Sequence, residues 1–145
     1  MIVLARPAPL EALSKMRDQG PPKTLGAYAG PFAYASAHGA LSRSWGAWTP
    51  PEGDAPPRCV ACGGFYPHED GRLEVWFACL PEARKDIGSI LRAARLTLRC
   101  IGDAEGVKIF ARVAKDWRPG ARIARALGMA RGGSQGGFDL WEFGG

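Results

Sequence analysis

Hydrophobic positions alternate with a period of two through the middle of the chain. In "LEVWFAC" the residues on one face of an extended segment are Leu73, Val75, Phe77 and Cys79, and those on the other are Glu74, Trp76 and Ala78. Both faces are largely apolar, which predicts a central strand. The preceding run "RCVACGGFY" is also β-prone, and Asp70-Gly71 between the two runs predicts a hairpin.

From Gly88 the hydrophobic period changes to that of a helix. The inward stripe consists of Ile90, Leu91, Ala94, Leu98 and Ile101, and the outer face carries Arg92, Arg95 and Arg99. "GDAEG" ends this helix and "VKIFARVA" predicts another strand. Pro119 suits the start of a second helix that Gly128 stops, and "FDLWEF" predicts a final strand.

The first third of the chain is less regular. "MIVLA" predicts a strand, and a stripe of Leu10, Leu13 and Met16 predicts a helix after it. We expect a short helix near 31–38 and a strand near 41–49. The Pro-rich segment 50–57 predicts a turn between two strands.

Composition indicates one compact domain over residues 1–145, because 46% of the residues are hydrophobic and only 23% are charged. The uncharged segment 24–41 is broken by Gly and Pro and does not resemble a membrane span. The start lacks the features of a signal peptide, so we expect a cytoplasmic protein. The net charge of +5 favours anionic partners, either a phosphate-bearing cofactor or nucleic acid.

The four cysteines are expected to be reduced thiols. The spacing of Cys59 and Cys62 suggests a zinc site, with His68 and Cys79 as further ligands. If "CVACGG" is a regular strand, however, the first two cysteines point to opposite faces and cannot share a metal. The sequence therefore predicts no metal, and Gly63-Gly64 predicts a bulge or the close approach of a ligand to the sheet.

The stretch "PEARKDIGSIL" places a Gly-containing turn directly before the arginine-faced helix. The first N–H groups of a helix are unpaired and carry partial positive charge, so a phosphate could bind there. The alternative is a simple capping turn, with Asp86 or Ser89 as the cap.

The order of these elements, together with "CLPEARKDIGSILRAA" and the later "DWRPGARIARALGM", resembles the GCN5-related N-acetyltransferase (GNAT) superfamily, in a divergent and bacteriophage-like form. The resemblance implies a single α/β (α+β) domain whose mixed, mostly antiparallel sheet is flanked by helices. It also implies an acetyl-CoA (acyl-CoA) site. The expected cofactor-binding residues are Ala78 and Leu80 for the pantetheine arm, and Arg84, Lys85, Asp86, Ile87, Gly88, Ser89 and Ile90 for the pyrophosphate.

Catalytic positions of the family are partly lost. The chain has Ala124 where the family often carries a Tyr that acts as general acid, and Trp117 where it often carries an Asn. The resemblance nominates Glu74 as general base. The alternative for Glu74 is an edge-facing or salt-bridged structural residue. His68 is predicted to be a solvated loop residue.

The resemblance implies transfer of an acetyl group from acetyl-CoA to the amine of a small molecule or peptide by direct attack. The alternative is a non-catalytic member of the same fold, acting as a CoA-binding or phage-related structural component. Nucleic-acid binding through the arginine-faced helix is not expected, because no base-reading motif accompanies it. Membrane attachment is not expected, and a homodimer is left open. Tyr28, Phe32, Tyr34, Trp45 and Trp48 are candidates either for an acceptor pocket or for core packing.

Overall fold

The computed structural model describes residues 2–9, 11–12, 15, 24–25 and 44–144. In these ranges the strands are β1 (Val3–Ala5), β2 (Thr24–Leu25), β3 (Ser44–Trp48), β4 (Cys59–Pro67), β5 (Leu73–Cys79), β6 (Ile109–Ala114), β7 (Met129–Gln135) and β8 (Phe138–Phe143). A 3-10 helix, Pro81–Asp86, leads into α1 (Ile87–Glu105), and α2 is Arg118–Ala126.

The strands form one sheet in the order β1-β3-β4-β5-β6-β8-β7, with β2 paired to β5 beside this path. Among the described strands only β5 and β6 pair in parallel, and the other pairs are antiparallel. The expected single mixed, mostly antiparallel sheet is therefore confirmed. No helix in the described part of the chain combines the length and apolar character needed to cross a membrane.

Strand β5 is central, as its two apolar faces predict. Its residues from Leu73 to Ala78 are all buried, and it pairs with β4 along most of its length. The turn before it is the predicted hairpin. Gly71 adopts a φ of 89°, a conformation that favours glycine, and donates its N–H to His68 O.

The core lies between the sheet and the two helices. Ile90, Leu91, Ala94 and Leu98 of α1 are buried in one cluster with Ala124 and Leu127 and with one face of the central strands. The predicted inward stripe is confirmed, although Ile101 is only partly buried. On the outer face Arg92 and Arg99 are exposed, whereas Arg95 is half-buried.

Other sequence predictions have mixed outcomes. The turn at 50–57 and the strands at "VKIFARVA" and "FDLWEF" are confirmed, and 41–49 holds β3 in its described part. The first helix is confirmed only at Glu11, Ala12 and Lys15. The helix near 31–38 and the residues Leu10, Leu13, Met16, Tyr28, Phe32 and Tyr34 lie outside the described residues. The sequence did not predict β7, which is Gly-rich and buries only Met129.

The Gly63-Gly64 pair is neither a bulge nor a gap for a ligand. Both glycines pair in register with β3 and β5. A Cβ on Gly63 would lie 2.2 Å from Cζ2 of Trp45, and one on Gly64 would lie 2.8 Å from Cζ2 of Trp76. The two glycines therefore make room for indole rings, and Trp45 packs in the core against Phe77.

Candidate functional site

A groove of about 890 Å³ opens where β5 ends. The parallel strands β5 and β6 pair only at Leu73–Ile109 and Glu74–Phe110, near their starts. Beyond those pairs the 3-10 helix and α1 form one wall and α2 forms the other. The lining residues are Cys79, Leu80, Pro81, Arg84, Ile87, Leu91, Trp117, Pro119, Arg122, Ile123 and Ala126.

The groove is largely apolar, with two exposed arginines among its lining residues. Its apolar lining residues include Leu80, Ile87, Leu91 and Ile123. Arg84 comes from the 3-10 helix and Arg122 from α2, so the two guanidinium groups belong to opposite walls. An apolar channel with cationic side chains suits an elongated ligand that carries phosphates at one end.

The start of α1 differs from a free phosphate-binding turn. Asp86 is the N-cap residue, but no side-chain hydrogen bond caps this end. The 3-10 helix runs directly into α1, and the Ile87 N–H donates to Arg84 O. The amide of Ile87 is therefore satisfied within the chain, and neither Asp86 nor Ser89 caps the helix by its side chain.

Only three of the nine expected cofactor-binding residues line the groove: Leu80, Arg84 and Ile87. Ile90 is fully buried in the core. Ala78, Lys85, Asp86, Gly88 and Ser89 do not line it. The side chain of Ile87 contributes to the wall, and that of Ile90 points into the core, so neither fills the channel.

The backbone expected to hold a pantetheine arm already has partners. Ala78 pairs in register with Cys62 on one side and with Thr24 of β2 on the other. The Leu80 N–H donates to Val60 O at 2.8 Å, and Leu80 O accepts from Ala83 N at 3.0 Å. Strand β2 therefore covers part of the β5 edge that β6 leaves unpaired.

Glu74 is buried in an ionic cluster near the start of β5. Its side chain is 1% exposed, and Arg112 of β6 donates to both of its carboxylate oxygens, at 2.7 and 3.1 Å. His68 Nε2 lies 2.9 Å from Oε1 of the same carboxylate. A buried carboxylate needs such partners, so the salt-bridged alternative for Glu74 describes what the structure contains.

His68 lies in the hairpin turn, as predicted, but it is only partly exposed, so the prediction of a solvated residue is wrong. Its ring lies 5.0 Å from the ring of Tyr66 and 5.1 Å from that of Phe110, and its side chain is 26% exposed. The position directly after β4 brings it over the carboxylate of Glu74, which projects from the neighbouring strand. His68 thus connects the buried carboxylate with the surface.

A second, smaller pocket of about 430 Å³ lies above this cluster. It is lined by His68, Arg72, Phe110, Arg112, Ser134, Gln135 and Leu140. Arg72 packs over the Phe110 ring, with its guanidinium carbon 4.5 Å from the ring centroid. The pocket gives a ligand access to the groups that hold Glu74.

The positions of the expected proton donor carry no acid group. Ala124 is fully buried in the core, and Trp117 lines the groove with its ring over Gly120, where an added Cβ would lie 2.3 Å from Cε3. The structure therefore assigns Trp117 a packing role at the start of α2.

Two solved structures of acetyltransferases align with this fold over most of its length. An acetyltransferase of the GNAT family from Bacillus anthracis aligns with a TM-score of 0.64 and 14% identity, over 97% of this chain and 92% of that one. An acetyltransferase from Agrobacterium tumefaciens aligns with a TM-score of 0.60 and 16% identity, over 99% and 91%.

This chain has the GNAT acetyltransferase fold. A chain of the NatC complex bound to Gag peptide and CoA also aligns, with a TM-score of 0.63 and 13% identity over 97% of this chain and 95% of that one. No protein-family model matches the chain. No curated protein matches it either. At these identities the GNAT likeness establishes the architecture alone.

Sequence reasoning missed Trp117, Arg122 and Ile123 as groove residues and Arg112 as the partner of Glu74. A basic residue in α2 carried no signal of its own, because the facing wall of the groove lies about 40 residues earlier in the chain. Arg112 alternates with the buried Ala111 and Val113 in β6, and this alternation marks it as lying on the opposite face from the core.

Proposed function

We propose that this chain is an acyl-CoA-dependent N-acyltransferase that transfers an acetyl group from acetyl-CoA to an amine by direct attack. The observation that carries the proposal is the groove at the end of β5, in which Arg84 and Arg122 flank an apolar channel. The proposal extends to a small-molecule or peptide amine as acceptor and to a cytoplasmic location.

The groove residues fit a CoA ester, although they differ from the expected site both at the phosphates and along the pantetheine arm. Because the Ile87 amide is already used, the side chains of Arg84 and Arg122 would bind the phosphates, through charge-assisted hydrogen bonds. Leu80, Ile87 and Ile123 would contact the pantetheine arm. When bound, the CoA ester supplies an activated acyl group.

Glu74, together with His68, would accept the proton of the attacking amine. His68 is hydrogen-bonded to Glu74 and lines the smaller pocket, so it would pass the proton on to solvent. Arg112 holds the carboxylate in one position, and the partly exposed imidazole connects it with solvent. A positioned base of this kind contributes about 10² to 10⁴ in rate.

The alternative is a GNAT-fold protein that binds CoA without turnover. It is favoured by the engagement of both Glu74 oxygens with Arg112 and by the burial of Ala124, which leaves α2 without the family's usual acid. Holding the reactants together can by itself contribute about 7–11 kcal/mol to lowering a barrier, so the missing acid does not exclude turnover.

Two measurements separate these functions: thermal shift with acetyl-CoA, then release of free CoA thiol over a panel of amines. Stabilisation with thiol release supports the enzyme, and stabilisation without release supports the binding protein. If acetyl-CoA does not stabilise the chain, both proposals are wrong.

The variant Glu74→Gln tests the base separately, since it keeps the volume of the side chain. It should still be stabilised by acetyl-CoA and should lose about 10² in kcat/KM or more. An unchanged kcat/KM would remove Glu74 from the mechanism.

A further inference from the structure

The cysteines of "CVAC" lie next to each other, contrary to the expectation from a regular strand. Cys59 Sγ and Cys62 Sγ are 3.7 Å apart. Residues three apart in a regular strand point to opposite faces, so a local irregularity must reverse one of them.

That irregularity is a β-bulge at Val60. Trp48 of β3 pairs with Cys59, and the adjacent Ala47 pairs with Ala61, so Val60 is an extra residue in β4. The consequence is visible in the packing. Val60 and Ala61 both belong to the core under the helices, whereas both cysteines pack in the cluster on the opposite face of the sheet.

The two thiols differ in their access to solvent. Cys62 is fully buried, whereas Cys59 is half-buried and lines a surface pocket of about 350 Å³. Lys15 and Arg58 are basic residues that also line this pocket. Gly46 of β3 leaves space for the outer sulfur, since a Cβ there would lie 2.9 Å from Cys59 Sγ. A small solute can therefore reach one thiol and not the other.

Hydrogen bonding gives the two thiols different pKa values, and the more accessible thiol has the lower one. The hydrogen bond from Cys62 lowers the pKa of Cys59, and hydrogen bonding to Cys59 together with burial raises the pKa of Cys62. The accessible sulfur is thus the one that more readily forms a thiolate, and the thiolate is the reactive species.

We infer that Cys59 and Cys62 form an oxidisable dithiol, in which a peroxide oxidises Cys59 and Cys62 resolves the product to a disulfide. This inference does not rest on the proposed acyltransferase function. Closing the pair requires the sulfurs to approach from 3.7 Å to about 2.05 Å.

The steps balance with hydrogen peroxide as the oxidant. The Cys59 thiolate attacks one peroxide oxygen, the O–O bond breaks, and hydroxide leaves and takes up a proton to become water. The Cys62 sulfur then attacks the sulfenic sulfur, an S–S bond forms, and the departing hydroxyl leaves as a second water with the Cys62 proton. Two thiols and one peroxide give one disulfide and two waters.

The test is differential alkylation and peptide mass spectrometry of the full chain after treatment with hydrogen peroxide. We expect Cys59 and Cys62 to become linked, with loss of two hydrogen atoms and recovery on addition of dithiothreitol. The exposed Cys100 is the internal control and should oxidise at least about tenfold more slowly. Both thiols remaining reduced while Cys100 is oxidised would overturn the inference.

Two variants test whether Cys59 is the thiol that is oxidised first and Cys62 the one that then forms the disulfide. In Cys62→Ala, Cys59 should stop at the sulfenic acid, which dimedone traps. In Cys59→Ala, the buried Cys62 should stay unmodified under conditions that oxidise the natural pair. Oxidation of Cys62 at the original rate in Cys59→Ala would contradict the assigned roles. The alkylation result on the unsubstituted chain does not depend on whether either variant folds.

Discussion

Arg112 donates to both carboxylate oxygens of the fully buried Glu74, from 38 residues farther along the chain. The two side chains project from adjacent parallel strands, β5 and β6, near the only point where these strands pair. The ion pair therefore lies where β5 and β6 are still paired, and the groove lies where the two strands have separated. It links the strand that carries the proposed base to the next strand of the sheet.

Removing Arg112 should destabilise the fold strongly. Arg112→Ala leaves the carboxylate of Glu74 buried beside only His68, and breaking a buried pair in this way typically costs about 3–5 kcal/mol. The measurement is the free energy of unfolding in urea.

The matched control for Arg112→Ala is the double variant Glu74→Gln with Arg112→Ala, which removes the charge as well as its partner. It should recover part of the lost stability. Equal stability of Arg112→Ala and the unsubstituted chain would show that the pair contributes little.

Gly63→Ala should also destabilise the chain. The added Cβ would lie 2.2 Å from the Trp45 ring, and the indole is packed in the core. Overpacking of this kind costs about 1–3 kcal/mol. Thermal unfolding should show a lower Tm for this variant.

Gly133→Ala in β7 is the control for that substitution, because no atom lies within 4 Å of its added Cβ. Its Tm should stay close to that of the natural chain. Equal Tm values for the two variants would contradict the account of why β4 contains paired glycines.

The pH dependence of Cys59 alkylation should reflect its hydrogen bond with Cys62. Because Cys62 lowers the pKa of Cys59, the rate of reaction with iodoacetamide should reach half its maximum at a lower pH than for an ordinary thiol. Cys62→Ala removes the cause and should move the midpoint upward. A midpoint that is the same with and without Cys62 would exclude the hydrogen bond as the cause.

Local periodicity was sufficient to predict the elements that determine this fold. The hairpin at Asp70-Gly71, the apolar faces of β5 and the stripe from Ile90 to Leu98 each depend on residues close in sequence. Strand β7 escaped prediction because its Gly-rich, exposed residues carry no apolar alternation.

The site was less predictable because its main features arise from pairing between distant segments. The bulge at Val60 depends on the register between β3 and β4, so the two cysteines could not be placed on one face from "CVAC" alone. The use of the Ile87 amide depends on a 3-10 helix over Pro81–Asp86, where the sequence suggested a turn. Arg122 comes near the 3-10 helix only through the packing of α2.

Binding of CoA in the groove beside Arg84 and Arg122 can be measured by calorimetric titration of CoA into the chain. The control is Arg92→Ala, which removes an exposed arginine of α1 that does not line the groove. We expect saturable binding that Arg92→Ala leaves unchanged. Each of Arg84→Ala and Arg122→Ala should raise the Kd for CoA about tenfold, which corresponds to about 1.4 kcal/mol of binding free energy. Absence of binding, or equal loss in all three variants, would contradict CoA binding in this groove.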